Sequence, residues 1–216
     1  MEILSLQYLM PRPLKERLSK KDSAVWNKEL QFKKGEWIKI TAPSGTGKTT
    51  FIHMLYALRT DYEGSISFDQ AELSQLSAAA LSTIRQEKLS IIFQDLQLFP
   101  QLTARENIEL KRVLQKPYCD ADQIEIMAAA LGISHILDQA AGICSYGEQQ
   151  RISIIRALIQ PFDWLIMDEP FSHLDQANKL IAAKLISEAC KERGAGLIIT
   201  DLDDDQLFNY SRILYL

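Results

Sequence analysis

The stretch EWIKITAPSGTGKTTFIHMLYAL, Glu36 to Leu58, decides the fold. It begins as an apolar strand, passes through a loop with glycines at Gly45 and Gly47, and continues with apolar residues at helical spacing from Phe51 onward. Glycines let backbone N–H groups curl around an anion, and the helix N-terminus adds a positive partial charge. The order strand, loop, helix therefore predicts a phosphate-binding loop (P-loop).

Two side chains of this loop suit the chemistry of a nucleoside triphosphate. Lys48 can reach the terminal phosphates, and the hydroxyl of Thr49 can bind Mg²⁺. Ala42 stands where such loops usually begin with glycine, and alanine is the smallest replacement. We expect the nucleotide to contact Ser44, Gly45, Thr46, Gly47, Lys48, Thr49 and Thr50. The loop alone leaves kinase, GTPase, helicase and transporter ATPase open.

A second apolar strand, WLIMDEP, Trp164 to Pro170, ends on two carboxylates. If this strand lies beside the P-loop, Asp168 can hold Mg²⁺ through water. Glu169 can then polarise the attacking water as a general base. The alternative is that Asp168 and Glu169 are merely solvated acids at the end of a strand. The P-loop earlier in the chain favours the catalytic interpretation.

Strands alternate with helices along most of the chain, and several strands are apolar on both faces. This pattern predicts an α/β fold of the P-loop NTPase type, with a mainly parallel sheet core and an N-terminal antiparallel β part. The middle of the chain is helical and lacks strands. We therefore predict one domain, 1–216, with a nucleotide-binding core of 1–94 and 160–216 and an inserted helical subdomain of 95–159.

Composition indicates a soluble globular protein. Of 216 residues 47% are hydrophobic, and the formal net charge of −4 gives no reason to expect a nucleic-acid partner. The N-terminus lacks the pattern of a signal peptide, and no apolar run is long enough to span a bilayer. Three dispersed cysteines fit free thiols in the cytosol and do not predict a zinc site.

Three further motifs follow the P-loop in order: IIFQD, CSYGEQQR and FSHLD, which contain Gln94, Ser145 and Asp175. With the P-loop and the two carboxylates, the chain resembles the ATP-binding cassette (ABC) ATPases over nearly its whole length. These motifs match that family's Q-loop, signature and D-loop. Each motif alone is weak evidence, whereas all of them in the right order and spacing are strong evidence.

The resemblance implies a site shared between two chains that pack head to tail once ATP is bound. Ser145, Gly147 and Glu148 of one chain, with Asp175, would then approach the nucleotide held by the other chain. Gln94 would sense Mg²⁺ and the attacking water, so we count it among the metal ligands and the catalytic residues. Hydrolysis of ATP would be tied to dimer closure, and ATP and Mg²⁺ would be the cofactors.

The signature departs from the family pattern at three positions. Cys144 replaces leucine, Tyr146 replaces the first glycine, and Glu148 replaces glutamine. Cys144 is a mild change in a small apolar position. If the ring of Tyr146 turns outward, the backbone of Ser145 and Gly147 keeps its geometry.

Two expected positions of the family pattern are also altered. Tyr8 is the predicted stacking platform for adenine, with Trp26 as the alternative, but Tyr8 precedes Lys48 by roughly ten residues more than usual. The basic segment PRPLKERLSKKDS, Pro11 to Ser23, accounts for the extra length. We read this segment as a loop or long hairpin tip.

The family's last motif is a histidine after the final strand, and Asp201 occupies that position in LIITDLDDD. A carboxylate there places a negative charge near the γ-phosphate, where an imidazole would donate a hydrogen bond. We predict that Asp201 slows hydrolysis without abolishing ATP binding. Asp203, Asp204 and Asp205 are expected to begin a solvated loop or to cap the next helix.

By resemblance, the chain is the ATPase subunit of a transporter. Such a subunit drives a separate membrane permease from the cytoplasmic side, bound peripherally to the inner face of the cell membrane. Leu96, Leu98, Phe99 and Leu102 form an apolar face suited to a permease helix, or they pack within the helical insertion itself. The nearest subgroup by appearance contains the lipoprotein-release, macrolide-export and cell-division cassettes. A soluble non-transport ATPase and an ATP-binding scaffold with weak hydrolysis remain the alternatives.

Overall fold

The computed structural model describes residues 1–19, 22–114, 117–202 and 206–216. The three acids Asp203 to Asp205 lie outside the described residues, so the prediction for them stays open. The strands are β1 Ile3–Pro11, β2 Glu29–Lys33, β3 Trp37–Thr41, β4 Tyr62–Phe68, β5 Ala71–Glu72, β6 Leu89–Ile92, β7 Trp164–Asp168, β8 Gly196–Asp201 and β9 Arg212–Tyr215. The α-helices are α1 Lys15–Leu18, α2 Lys48–Leu55, α3 Ala78–Glu87, α4 Ala104–Val113, α5 Asp122–Ala130, α6 Tyr146–Leu158 and α7 Gln176–Arg193.

The larger sheet is parallel throughout, with the strand order β6-β7-β8-β3-β9. Parallel strands bring their carboxyl ends to one edge of a sheet, which is where α/β proteins bind ligands. The P-loop follows β3, Asp168 ends β7 and Asp201 ends β8, so these groups meet at the same edge. The sheet thus confirms the predicted α/β class.

The smaller sheet is antiparallel, in the order β2-β1-β4-β5. It confirms the predicted antiparallel part at the N-terminus. The register between β1 and β4 shifts between Gln7 and Met10, which makes a bulge in β1. Gly64 of β4 faces this bulge with φ of +83°, and a Cβ at Gly64 would lie 2.2 Å from the carbonyl oxygen of Gln7. Only glycine fits this crossing of two strands.

The side chains on the two faces of the parallel sheet belong to two separate hydrophobic clusters, because successive side chains along a strand point to opposite faces. Leu165, Met167, Leu197 and Ile199 pack with the helices α4 to α7. Ile38, Ile40, Ile166 and Ile198 pack with α2 and with the antiparallel sheet. The helical middle therefore shares its core with the sheet, while the predicted subdomain boundary at 95–159 stays a prediction.

Several predicted elements differ in extent from the observed ones. The hairpin between β1 and β2 contains a 3₁₀ turn, Arg12–Leu14, and the short helix α1. The sequence AVWNKELQF, Ala24 to Phe32, predicts a strand, but the strand begins only at Glu29. The Ala/Leu/Ser-rich stretch 71–88 predicts one helix, but only Ala78–Glu87 is α-helical. Within the described residues, no helix is both long enough and apolar enough to cross a membrane.

Candidate active site

Lys48 is the central charge of the site. Its side chain is only 5% exposed and lies at the start of α2, just after the left-handed Gly47. The ammonium group donates to the carbonyl oxygen of Ala42 at 2.8 Å and contacts Oε1 of Glu169 at 3.2 Å. The P-loop therefore holds the lysine against its own backbone and against the carboxylate that follows β7.

Glu169, Gln94 and Thr49 form a chain of hydrogen bonds that starts from this ion pair. Nε2 of Gln94 donates to Oε2 of Glu169 at 3.2 Å, and Oγ1 of Thr49 donates to Oε1 of Gln94 at 3.2 Å. Glu169 has a left-handed backbone with φ of 45°, and its N–H donates to the carbonyl of Thr200. Tertiary structure thus joins three residues that are far apart in sequence.

Asp168 is buried at the end of β7. Thr200, which is opposite it on β8, donates its hydroxyl to Oδ1 of Asp168 at 2.6 Å. The second oxygen, Oδ2, has no hydrogen-bond partner within the described part of the chain. A buried carboxylate oxygen without a partner is costly and indicates a place for a cation or a bound water. Thr200 was not predicted as a site residue, although the strand pairing makes it the natural support.

The P-loop borders a cavity of about 280 Å³. Its lining includes six of the seven predicted P-loop residues together with Gln94 and Glu169. Thr46, the seventh, is buried behind the loop and donates its hydroxyl to the carbonyl of Pro43 at 2.7 Å. Two further lining residues, Leu14 and Arg17, come from the β1–β2 hairpin and were not predicted. The basic character of that hairpin was their only signal in the sequence.

The two aromatic residues considered for adenine do not line this cavity. Tyr8 lies in the β1 bulge, is 59% exposed, and its backbone faces Gly64. Trp26 is buried beneath the P-loop, where its ring would be 3.2 Å from a Cβ on Gly47. Trp26 supports the loop from behind and offers no open face for stacking. The role of Tyr8 as a platform stays a prediction.

The signature starts helix α6, with Ser145 as the N-cap. The hydroxyl of Ser145 accepts from the backbone N–H of Glu148, while Oε2 of Glu148 accepts from the N–H and the hydroxyl of Ser145 at 2.8 and 2.7 Å. The side-chain hydrogen bond from Ser145 is the main cause that lowers the pKa of Glu148 below its usual value. The carboxylate that replaces glutamine is therefore charged, and it completes a capping box.

Tyr146 and Gly147 pack differently from each other at this helix start. The ring of Tyr146 is half exposed and meets the His173 ring edge-on, with 4.1 Å between the centroids. A Cβ on Gly147 would lie 3.1 Å from the carbonyl oxygen of His173, so the D-loop passes close to the signature backbone. The ring of Tyr146 points outward, and Ser145 begins α6 with a complete capping box.

A second cavity, of about 390 Å³, adjoins the first and shares Thr49 and Gln94 with it. Tyr146, His173 and His53 also line it. His53 lies on α2, and its ring meets the Phe93 ring edge-on, with 6.0 Å between the centroids. Tyr146 of the signature and His173 of the D-loop thus line a cavity together with Thr49 and Gln94, which also line the P-loop cavity.

Asp201 and Asp175 occupy the positions that their motifs predict. Asp201 is the last residue of β8 and pairs with Thr41, and its carbonyl accepts from the N–H of Ala42 at 3.4 Å. Its carboxylate accepts from the N–H of Leu202 at 2.7 Å. Asp175 caps α7, and hydrogen bonds from Asn178 lower the pKa of this carboxyl. Neither residue is among the described residues that line the P-loop cavity.

Two curated proteins are similar to this chain in sequence. The phosphonates import ATP-binding protein PhnC of Agrobacterium fabrum is 33% identical over 195 residues, which cover 84% of this chain and 66% of that protein. The glucose import ATP-binding protein GlcV of Saccharolobus solfataricus is 32% identical over 187 residues, 86% of this chain and 53% of that protein. The chain thus spans roughly half to two thirds of the length of these two relatives.

Solved structures agree with the sequence relatives. The dimeric post-hydrolysis structure of the ATP-binding cassette MJ0796, bound to ADP and Pi, superposes with a TM-score of 0.82 and 25% identity. The match covers 99% of this chain and 94% of that chain. The family model described as ABC transporter matches residues 25–172, which include the P-loop, the signature and both carboxylates. The chain belongs to the ABC transporter family.

Proposed function

We propose that this chain binds and hydrolyses ATP and that its hydrolysis drives a membrane transporter. The observation that carries the first part is the contact chain Lys48–Glu169–Gln94–Thr49 at the mouth of the P-loop cavity. It places a cation, a carboxylate base, an amide and a hydroxyl around one space. This is the set of groups that phosphoryl transfer to water requires.

Lys48 and Glu169 neutralise each other at 3.2 Å. When the phosphates of ATP also bind to Lys48, the lysine interacts less strongly with Glu169. The carboxylate of Glu169 can then accept a proton from water. Gln94, which already donates to Glu169, can orient that water. The roles follow from the contacts: Lys48 stabilises phosphate charge, Glu169 is the general base, and Gln94 positions the nucleophile.

Mg²⁺ fits the oxygen donors of this site. The hydroxyl of Thr49 and the amide oxygen of Gln94 are adjacent, and Oδ2 of Asp168 is buried without a partner among the described residues. Mg²⁺ prefers such oxygen ligands together with phosphates and waters. When bound, the ion would neutralise charge that develops on the phosphates. We propose Thr49 and Gln94 as direct ligands and Asp168 as a ligand through water.

Phosphate release tests the proposal directly. The purified chain, incubated with ATP and Mg²⁺, is expected to release phosphate continuously, and chelation of Mg²⁺ with EDTA should reduce the release to the level of a protein-free control. Mg²⁺ is needed because the contact chain contains a single cation, Lys48, which cannot by itself neutralise the several negative charges of the triphosphate. Release at the same rate in EDTA would contradict the metal assignment, and no release in Mg²⁺ would contradict the enzymatic function.

We further propose that the site is completed by a second copy of the chain. Ser145 and Gly147 lie at the N-terminus of α6, where the positive end of the helix dipole favours an anion. Neither residue lines the P-loop cavity among the described residues, and we propose that they bind the phosphate held by the other copy. The dimeric MJ0796 cassette supports this arrangement. Asp175 would lie at the same interface.

The transport role rests on the relatives, which are named as import ATP-binding proteins. We propose that a membrane permease docks on the helical segment after Gln94, where Phe99 is exposed. The chain would then work at the cytoplasmic face of the membrane. These relatives are importers, whereas the predicted subgroup contains exporters and mechanotransmitters, so the subgroup and the direction of transport stay predictions.

Asp201 favours a second possibility, a cassette that binds ATP but hydrolyses it slowly. Its backbone lies at the end of β8, next to Thr41 and Ala42 at the base of the P-loop. We propose that its carboxylate places like charge near a bound phosphate. Asp201→His is expected to raise ATP turnover roughly tenfold, because an imidazole can donate a hydrogen bond to the phosphate. Steady-state phosphate release by both proteins measures this effect.

Asp201→Asn is the matched control, since it removes the charge without adding an imidazole. We expect it to give an intermediate rate. A turnover of Asp201→His equal to or below that of the unaltered protein would contradict the prediction. Similar rates for the histidine and asparagine variants would assign the effect to the charge alone.

A further inference from the structure

The hairpin between β1 and β2 places a cation at the P-loop that the motifs do not include. Arg17, on the short helix α1, lines the cavity of the P-loop. Its Nη2 would lie 3.8 Å from a Cβ on Gly45, so the guanidinium lies against the glycine backbone of the loop. Arg17 forms no hydrogen bond and no ion pair with any residue that the structure describes.

The segment that carries Arg17 is held firmly on both sides of it. Leu18 is buried in the core, and Leu14 would lie 3.5 Å from a Cβ on Gly47. Lys15 binds both carboxylate oxygens of Glu63 at 2.8 Å. An arginine on an anchored segment loses less conformational freedom on binding than one on an open loop.

The net charge of the cavity lining depends on Arg17. Lys48 is already paired with Glu169, so this pair contributes almost no net charge to the cavity. Arg17 is the remaining cation among the described lining residues. A triphosphate carries several negative charges, and the planar guanidinium matches phosphate oxygens through two parallel hydrogen bonds.

We propose that Arg17 is a further nucleotide-binding residue, which contacts the phosphates of the nucleotide beside Gly45. This inference rests on the proposed function and extends it. Gly45 belongs to the loop whose N–H groups face the phosphates, and the guanidinium lies beside Gly45. A role in stacking on adenine is the competing assignment, and binding measurements with and without the base separate the two.

The experiment uses the full chain and two ligands, ATP and inorganic tripolyphosphate, each with Mg²⁺, in titration calorimetry. Arg17→Gln is expected to raise the Kd for both ligands by about tenfold, because one charge-assisted contact to phosphate is lost. Arg17→Lys keeps the positive charge but loses the planar guanidinium, so it should raise both Kd values by about threefold. Arg12→Gln on the same hairpin, exposed and outside the cavity lining, should leave both unchanged.

Other results would contradict either the role of Arg17 or the proposed function. A weaker affinity for ATP with unchanged affinity for tripolyphosphate would assign Arg17 to the base and overturn the inference. Unchanged affinity for both ligands would also overturn it, provided that Lys48→Ala still abolishes binding, and the proposed function would then stand. If the unaltered chain bound neither ligand, the proposed function itself would fail.

Discussion

Glu169→Gln is expected to lower ATP turnover by about 10²- to 10⁴-fold, which is the usual contribution of a positioned general base. Glutamine keeps the shape and can still meet Gln94, but it cannot accept a proton from water. Steady-state phosphate release by the purified chain measures the effect. The affinity for ATP should be unchanged or tighter, because the negative charge 3.2 Å from Lys48 has gone.

The control for this substitution is Glu188→Gln, which makes the same chemical change on the surface of α7. Glu188 is 63% exposed and only weakly paired with Lys184 at 3.9 Å. It should leave turnover unchanged. Equal rates for Glu169→Gln and the unaltered protein would contradict the enzymatic function and leave a nucleotide-dependent scaffold. Size measurements in ATP add a second readout, since the blocked enzyme should accumulate as a dimer.

Gly64→Ala is expected to lower the free energy of unfolding by roughly 3 kcal/mol, the largest effect on stability that we predict. Gly64 has φ of +83°, and a Cβ would meet the carbonyl oxygen of Gln7 at 2.2 Å and the carbonyl carbon of Tyr8 at 2.6 Å. These atoms are backbone, so they cannot swing aside as a side chain can. Relief requires the β1 bulge to open and the antiparallel sheet to separate locally.

Urea denaturation followed by circular dichroism gives the measurement. Gly132→Ala is the matched control, because Gly132 also has a left-handed backbone, with φ of +69°, but a Cβ there would meet nothing within 4 Å. Its cost should be only the conformational strain of about 1 kcal/mol. If both variants were destabilised equally, the close approach of β1 to Gly64 would not be the cause.

Local sequence was enough to predict the elements that carry most of the chemistry. The P-loop helix and the strand ending at Asp168 were both expected, because each is encoded by neighbouring residues through periodicity and glycine. The parallel sheet was also predictable, since strands that are apolar on both faces need helices on both sides. Family membership followed from the order of the motifs.

Elements with weaker local signals were predicted less well. The sequence 71–88 reads as one helix because it is rich in alanine and leucine, yet Ala71–Glu72 pairs with β4. The edge of the small sheet offered unpaired backbone groups there, and tertiary hydrogen bonds prevailed over helix propensity. Trp26 appeared to belong to a strand but is buried beneath Gly47 instead.

What the sequence by itself determined is therefore the set of local structures and the residue types at the nucleotide site. Tertiary structure alone decided which distant residues meet there. The pairing of β7 with β8 brings Thr200 to Asp168, and the folded hairpin brings Arg17 to Gly45. The physical reason is that these contacts depend on strand register and on packing between segments far apart in the chain, and no local pattern encodes either.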